Sequence, residues 1–400
     1  MAQPPSIDVD NIGTDDGDAL MVAATLGHTL RVSALIQARA DLDSQAANGA
    51  TAVMCAAQRG NHQATRTLIE ANADLEKVGP QRFTALMFAA GLGRELSVRA
   101  LIEGSAVVDH VADGGATAML LAAQHGHVQV ARVLIAANAD LEKRTTAGNT
   151  AMMLAAQHGR SLIVATLIAA NALVDARNDN RATALIEACA RGHAQVAGAL
   201  LAAHADVNAT DADSWTSLAC ATEHRHHECM QLLLDAGADA ELMIDDGWTC
   251  LMKACEGGDE RSVRTLLDAG AVVDARGLRD FTALMVACQH GHDPCVRALI
   301  EAGARIDHGT SEGYTALTIS AQHGWVACTH ALIAAGADID QHSRPHRSTA
   351  LNVACEHGQE ECALLLLRAG SRSADVADGD GDTARAFARN KGLHRALRLM

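Results

Sequence analysis

Aromatic side chains are scarce in this sequence, at 2% of 400 residues, although 49% of the residues are apolar. Sheet cores draw on β-branched and aromatic residues, so an alanine-rich composition of this kind points to short, closely packed helices. A basic excess is also missing. The formal charge of -16 argues against broad contact with nucleic acid or anionic lipid, which need a basic face, and it keeps an apolar-rich surface in solution. No apolar run approaches the roughly 20 residues of a membrane span. Met1 to Asp18 has no apolar core and carries five aspartates, which excludes a signal peptide. These absences predict a soluble, cytoplasmic chain with no membrane insertion. There is no close CxxC pair among the 11 cysteines, and an odd count fits reduced, buried thiols better than a disulfide framework. Also absent are a P-loop, a GxSxG elbow, an HExxH helix and a dinucleotide-type glycine motif, so neither catalysis nor a cofactor is expected.

What is present is a repeat. Thr-Ala recurs at Thr51, Thr84, Thr117, Thr150 and Thr183, always 33 residues apart, and the register continues through Thr216, Thr249, Thr282 and Thr315. Asp18 stands one period before Thr51, and the last two steps, to Thr349 and Thr383, are 34 residues. Twelve units therefore tile the chain from about Gly13 to Met400. In one unit, Asp113-Gly114-Gly115-Ala116 is a turn signal, Thr117 is placed to cap a helix over Ala118 to His125, and Gly126 ends it. His127 opens a second helix with Val130, Val133 and Leu134 at helical spacing, and Asn138 marks its end. Neither helix can bury its apolar face without a neighbour, which is the logic of a solenoid.

The stretches TALMFAAGLG, TAMLLAAQHGH, TALMVACQHGH with EAGARID, and TALTISAQHG with AAGADID resemble the ankyrin repeat, whose motif is TPLHxA followed by GH and GAD segments. The resemblance implies an all-α ankyrin-repeat solenoid of stacked helix-turn-helix units with β-turn or hairpin-like loops. It is expected to form a single array over 13–400 after an N-terminal tail at 1–12, the last repeat being a short cap with its second helix over Leu393 to Met400. The family proline is replaced mainly by alanine, and the family histidine by Met21, Met54, Met87, Met153, Met252 and Met285 or other residues. Methionine packing must then hold the loops in place of histidine hydrogen bonds.

Sequence character changes near Asp211. The residue ending each second helix is Arg39, Asn72, Ser105, Asn138, Asn171 or His204 before that point and glycine at 237, 270, 303, 336 and 370 after it. Glycine takes the left-handed cap without a Cβ penalty, so better-formed turns are expected in the second half. Trp215, Trp248, Phe281 and Tyr314 then share one register position, immediately before the capping residue, in four consecutive units. Such a row is either a binding stripe of aromatic anchors or a set of rings packed on adjacent turns. Phe83, alone in the first half, reads as structural. Gln-His pairs recur at the end of the first helix, among them Gln289-His290 and Gln322-His323, and the resemblance implies that they face the concave groove.

The segment Glu223-His224-Arg225-His226-His227-Glu228-Cys229 carries zinc-compatible residue types, but they straddle a helix end, a turn and the next helix, and Cys229 falls on a core register. No metal site is expected from it. Carboxylates such as Asp74 and Asp140 read as turn formers. The resulting expectation is a monomeric, non-enzymatic scaffold or adaptor that holds partner proteins through Trp215, Trp248, Phe281, Tyr314, Gln289, His290, Gln322 and His323. A metal-responsive module and a purely structural spacer are the alternatives.

Overall fold

The computed structural model describes residues 16–244, 247–343 and 346–400, with side chains from Ala19 onward; the tail over 1–12 and the start of the first unit at Gly13 lie outside them. Among the described residues the regular structure is helical, with twenty-four helices of four to ten residues, four short helical turns and no strand. The helices pair as twelve hairpins, and the chain forms two compact units, 1–212 and 213–400, each holding six of them. That division falls where the sequence changes character.

Helices of seven to nine residues are marginal in isolation, so packing must hold them. In the Thr117 hairpin the first helix spans Ala118–His125, and every residue from Ala118 to Gln124 is buried. The second spans Val128–Ala136 and buries only one face, through Val130, Ala131, Val133 and Leu134. Within each unit, first helices pack on the first helices of adjacent hairpins, and second helices on second helices. The core is therefore a continuous apolar row, fully enclosed along the first helices and one-sided along the second.

Local chemistry sets the boundaries. Thr117 accepts the Leu120 N–H at 3.3 Å, and the threonines at 150, 183, 216, 249, 315, 349 and 383 cap their helices in the same way. Thr51, Thr84 and Thr282 make no such bond. The residues ending the second helices all take positive φ, from 58° at Asn138 to 67° at Ser105 among the non-glycines and from 84° at Gly237 to 98° at Gly370 among the glycines. The last second helix is shorter than its sequence suggests, spanning His394–Leu397.

Between hairpins, a five-residue loop closes when its first N–H donates to the carbonyl four residues on, as in Gly79 to Phe83 (2.9 Å), Gly277 to Phe281 (2.9 Å) and Thr310 to Tyr314 (2.9 Å). Methionine packs beneath these loops, as the replacement of histidine requires. Met54 and Met252 are wholly buried, and a Cβ on Gly79 would come within 2.9 Å of the Met54 sulfur, one on Gly277 within 3.0 Å of Met252.

Two hydrogen-bond ladders tie successive hairpins within each unit. A carboxylate after each second helix accepts an N–H from the next repeat: Asp43 from Asp74 (2.8 Å), Glu76 from Val107 (2.8 Å), Asp109 from Asp140 (3.1 Å), Asp274 from Arg305 (2.9 Å) and Asp307 from Asp338 (2.8 Å). Asp74 and Asp140 are turn formers as well, each accepting the N–H two residues on at 2.9 Å. The second ladder runs from the residue that opens most second helices to a carbonyl at the end of the previous repeat's first helix. Arg94 reaches Gln58 O (3.1 Å), His127 Gly91 O (3.0 Å), Arg160 Gln124 O (3.2 Å), His292 Glu256 O (3.1 Å), Trp325 Gln289 O (3.1 Å) and Gln359 Gln322 O (3.3 Å).

Candidate functional site

The four aromatic residues of the row are half-buried and stand in the second unit, but they divide into two pairs. Lys253, one helical turn into the helix that Thr249 caps, holds its ammonium 5.6 Å from the Trp215 ring centre and 5.2 Å from that of Trp248. The same group lies 3.0 Å from Glu256, and its side chain is only 11% exposed. A cation over two indole faces satisfies the negative quadrupole of each ring. Trp215 and Trp248 are therefore closed around a cation of the chain itself.

Phe281 and Tyr314 are arranged differently. Both line an open cleft of about 220 Å³, together with Gln289, Gln322 and His323, and Ile319 is buried in its wall at 5% exposure. The loop closures at Gly277 and Thr310 fix the main chain of the two rings directly before their helices. Register places Gln289 and Gln322 at corresponding points of adjacent first helices, so two amides line the cleft with the two aromatic rings. Arg279 and Glu312, both exposed, mark the rim. Burial, followed by the neighbouring His357 and His290, pushes the His323 imidazole below its usual range, which keeps it neutral near pH 7.

Five of the eight residues expected at the site therefore meet in one cleft. Trp215 and Trp248 do not line it, nor does His290, whose ring stacks on His292 with centres 6.1 Å apart. Phe83 is 4% exposed and packs on Phe88 at 5.5 Å.

A second cleft of about 360 Å³ meets the first along Tyr314 and Gln322. It adds Phe387, which the sequence reading passed over. Phe387 and Ile319 both stand four residues beyond their capping threonine, a periodic signal that could have revealed the shared wall. Trp325 was passed over as well. It is 41% exposed, covers Gly291 and occupies a position held by histidine in other units, where only the shared N–H connects such different side chains.

The His/Cys segment disperses. Cys229 is 1% exposed, His224 bonds Cys220 O at 3.0 Å, and His227 bonds Asp259 at 2.6 Å. Asp259 is desolvated, which alone would raise its carboxyl; hydrogen bonds from Ser262 and His227 outweigh this and hold it below the usual range. Among the described residues no three His, Cys, Asp or Glu side chains converge on a metal position. All 11 cysteines are buried thiols. No helix among the described residues is long and apolar enough to cross a membrane.

The profile for ankyrin repeats (3 copies) matches residues 20–112, 98–178, 163–244, 236–310 and 302–380. The chain belongs to the ankyrin repeat family. Such repeats are in general protein–protein interaction modules. Among solved structures, the ankyrin repeat domain of human ASB11 is similar, at 30% identity and a TM-score of 0.49, covering 55% of this chain and 98% of that one. No curated protein matches the chain.

Proposed function

We propose that this ankyrin-repeat chain is a non-enzymatic, cytoplasmic, monomeric scaffold that holds a partner protein in the second unit, in the cleft between Phe281 and Tyr314. The observation that supports it is the meeting of five residues there: two aromatic walls, two amides able to donate and accept, and a neutral histidine. Apolar anchoring with a few placed polar groups is the usual composition of a recognition site. Because the loops and helices that carry these groups are held by ladders of hydrogen bonds, little ordering entropy opposes binding. Trp215 and Trp248 are assigned to structure, since Lys253 already occupies their faces.

The test is affinity capture from a source-cell lysate with intact chain, F281A/Y314A and W215A/W248A side by side, each checked for helix content. A partner lost from F281A/Y314A and retained by W215A/W248A is the expected result. Retention by F281A/Y314A at the intact level would refute the cleft as the binding site.

A further inference from the structure

Beyond the position of the site, the paired clefts indicate what kind of segment fits it. We propose that the partner presents an extended peptide with an apolar side chain for the Phe281–Tyr314 cleft and one or more arginines, within a few residues, for the adjoining cleft. The inference rests on the reading of that site given above.

The charge distribution carries it. The adjoining cleft is lined by Glu356, Asp378, Asp380 and Asp382, set against His346 and His357. Among the described residues none of the four carboxylates is in an ion pair; Asp378 alone is engaged, accepting the N–H groups of Asp380 (3.0 Å) and Asp382 (2.9 Å). Arg385, on the helix that follows them, is already held by Asp375 at 2.6 and 2.9 Å and by Met400 O at 2.6 Å. Glu312, lining the first cleft with Tyr314, adds a further exposed carboxylate. Burial, then Glu312 and Glu356, push the Tyr314 phenol up, which is how a ring between two sources of negative potential behaves.

The walls of this acidic cleft are aromatic as well as charged. Tyr314 and Phe387 both line it, so a planar guanidinium can stack on a ring while its edge meets paired carboxylates. Arginine suits that combination better than lysine, whose point charge lacks the planar fork. The clefts share Tyr314 and Gln322, so the anchor and the cation need be separated by only two or three residues of extended chain, at roughly 3.4 Å each. Arg279 lines the first cleft and not the adjoining one, so it disfavours a cation in the first. That difference assigns the arginine to the carboxylate-lined cleft and the apolar anchor to the cleft beside Arg279. Nucleic acid is disfavoured by the same carboxylates.

The probe is a short fluorescein-labelled peptide in a glycine–serine background, with one tryptophan and, two positions on, three arginines, followed by anisotropy with the full-length chain. The controls replace the arginines by glutamates or the tryptophan by serine. Measurable binding is expected for the arginine peptide, weakened about tenfold or more by either replacement and by raised salt. The E356Q/D380N/D382N protein should lose about the same factor for the arginine peptide while keeping its helix content. Equal binding of the arginine and glutamate peptides, an unaffected triple variant, or no binding of the arginine peptide would overturn the proposal. If the charge variants have no effect but F281A/Y314A abolishes capture of the cellular partner, the basic peptide is wrong and the cleft survives. If F281A/Y314A binds both like the intact chain, the cleft falls too.

Discussion

Arg39, Ser105 and His204 each end a second helix with a φ of 61°, 67° and 61°, in the left-handed region where an L-residue crowds its own carbonyl. All three side chains are exposed, and among the described residues none makes a hydrogen bond or ion pair. No side-chain contact of this kind compensates the crowding. Left-handed backbone costs such residues roughly 1–2 kcal/mol, and glycine at the same point loses roughly 0.5–1 kcal/mol through its freer unfolded chain. Each replacement by glycine should therefore stabilise the first unit by about 0.5–1 kcal/mol, and the R39G/S105G/H204G variant by about 2 kcal/mol if distant sites add. For about 200 residues this is a melting shift of roughly 4–8 °C. Guanidinium unfolding followed by far-UV circular dichroism reads both units, whereas tryptophan fluorescence reads only the second, which holds Trp215, Trp248 and Trp325. The gain should enter through the dichroism. Two controls sharpen it. N72G/N138G/N171G should be nearly neutral, because asparagine tolerates the left-handed region. G270A should cost about 1 kcal/mol and move the fluorescence midpoint, although a Cβ there meets nothing within 4 Å. No gain from the triple glycine variant, or an equal gain from the asparagine set, would refute the reasoning.

The carboxylate ladder makes a separate claim: D109A, which strips the acceptor from the Asp140 N–H, should cost about 1 kcal/mol by denaturant titration, while D109N should recover most of it because an amide oxygen still accepts. Burial is the chief cause that holds His125 and His127 below the usual histidine range, so both stay neutral in the fold. With folded values depressed below the unfolded value of about 6.5, their contribution is complete above that pH and is lost as pH falls through the folded values. The unfolding midpoint should drop as pH falls below about 6.5, and less so in H125Q/H127Q, since Gln359 shows that glutamine can make the ladder bond of His127. K253M should alter the near-UV dichroism of Trp215 and Trp248 without changing capture at the Phe281–Tyr314 cleft; loss of capture would contradict the division of the row.

Most of the fold was legible because each unit states its boundaries chemically. Thr117 and Gly126 bracket the helix at Ala118–His125, and the helix-ending residues from Arg39 to His204 all take left-handed backbone. The second ladder was not legible. Asn, Arg, His, Trp and Gln occupy one register position, and composition or hydropathy does not group them. What they share is an N–H at a reach that meets a carbonyl of the preceding repeat. Asp259 and Leu393 depart from this, since neither side chain can donate. Asp259 instead accepts from His227 and Ser262, each at 2.6 Å, while Arg225 donates to Gly257 O at 2.5 Å.

The candidate site was legible as a register and hidden as a division of that register. Trp215, Trp248, Phe281 and Tyr314 are equivalent by position, and a row read along the chain offers no reason to separate them. The separation comes from a different column, four residues beyond the capping threonine, where Lys253 stands while Val286, Ile319 and Phe387 are apolar. A lysine there closes over the two indoles before it. An apolar side chain at the same depth leaves a wall instead of a lid, and the rings beside it stay open. In a solenoid, each side chain's neighbours belong to the adjacent repeat. Whether an aromatic residue binds or braces is therefore written in the column that faces it, and the aromatic column alone cannot say.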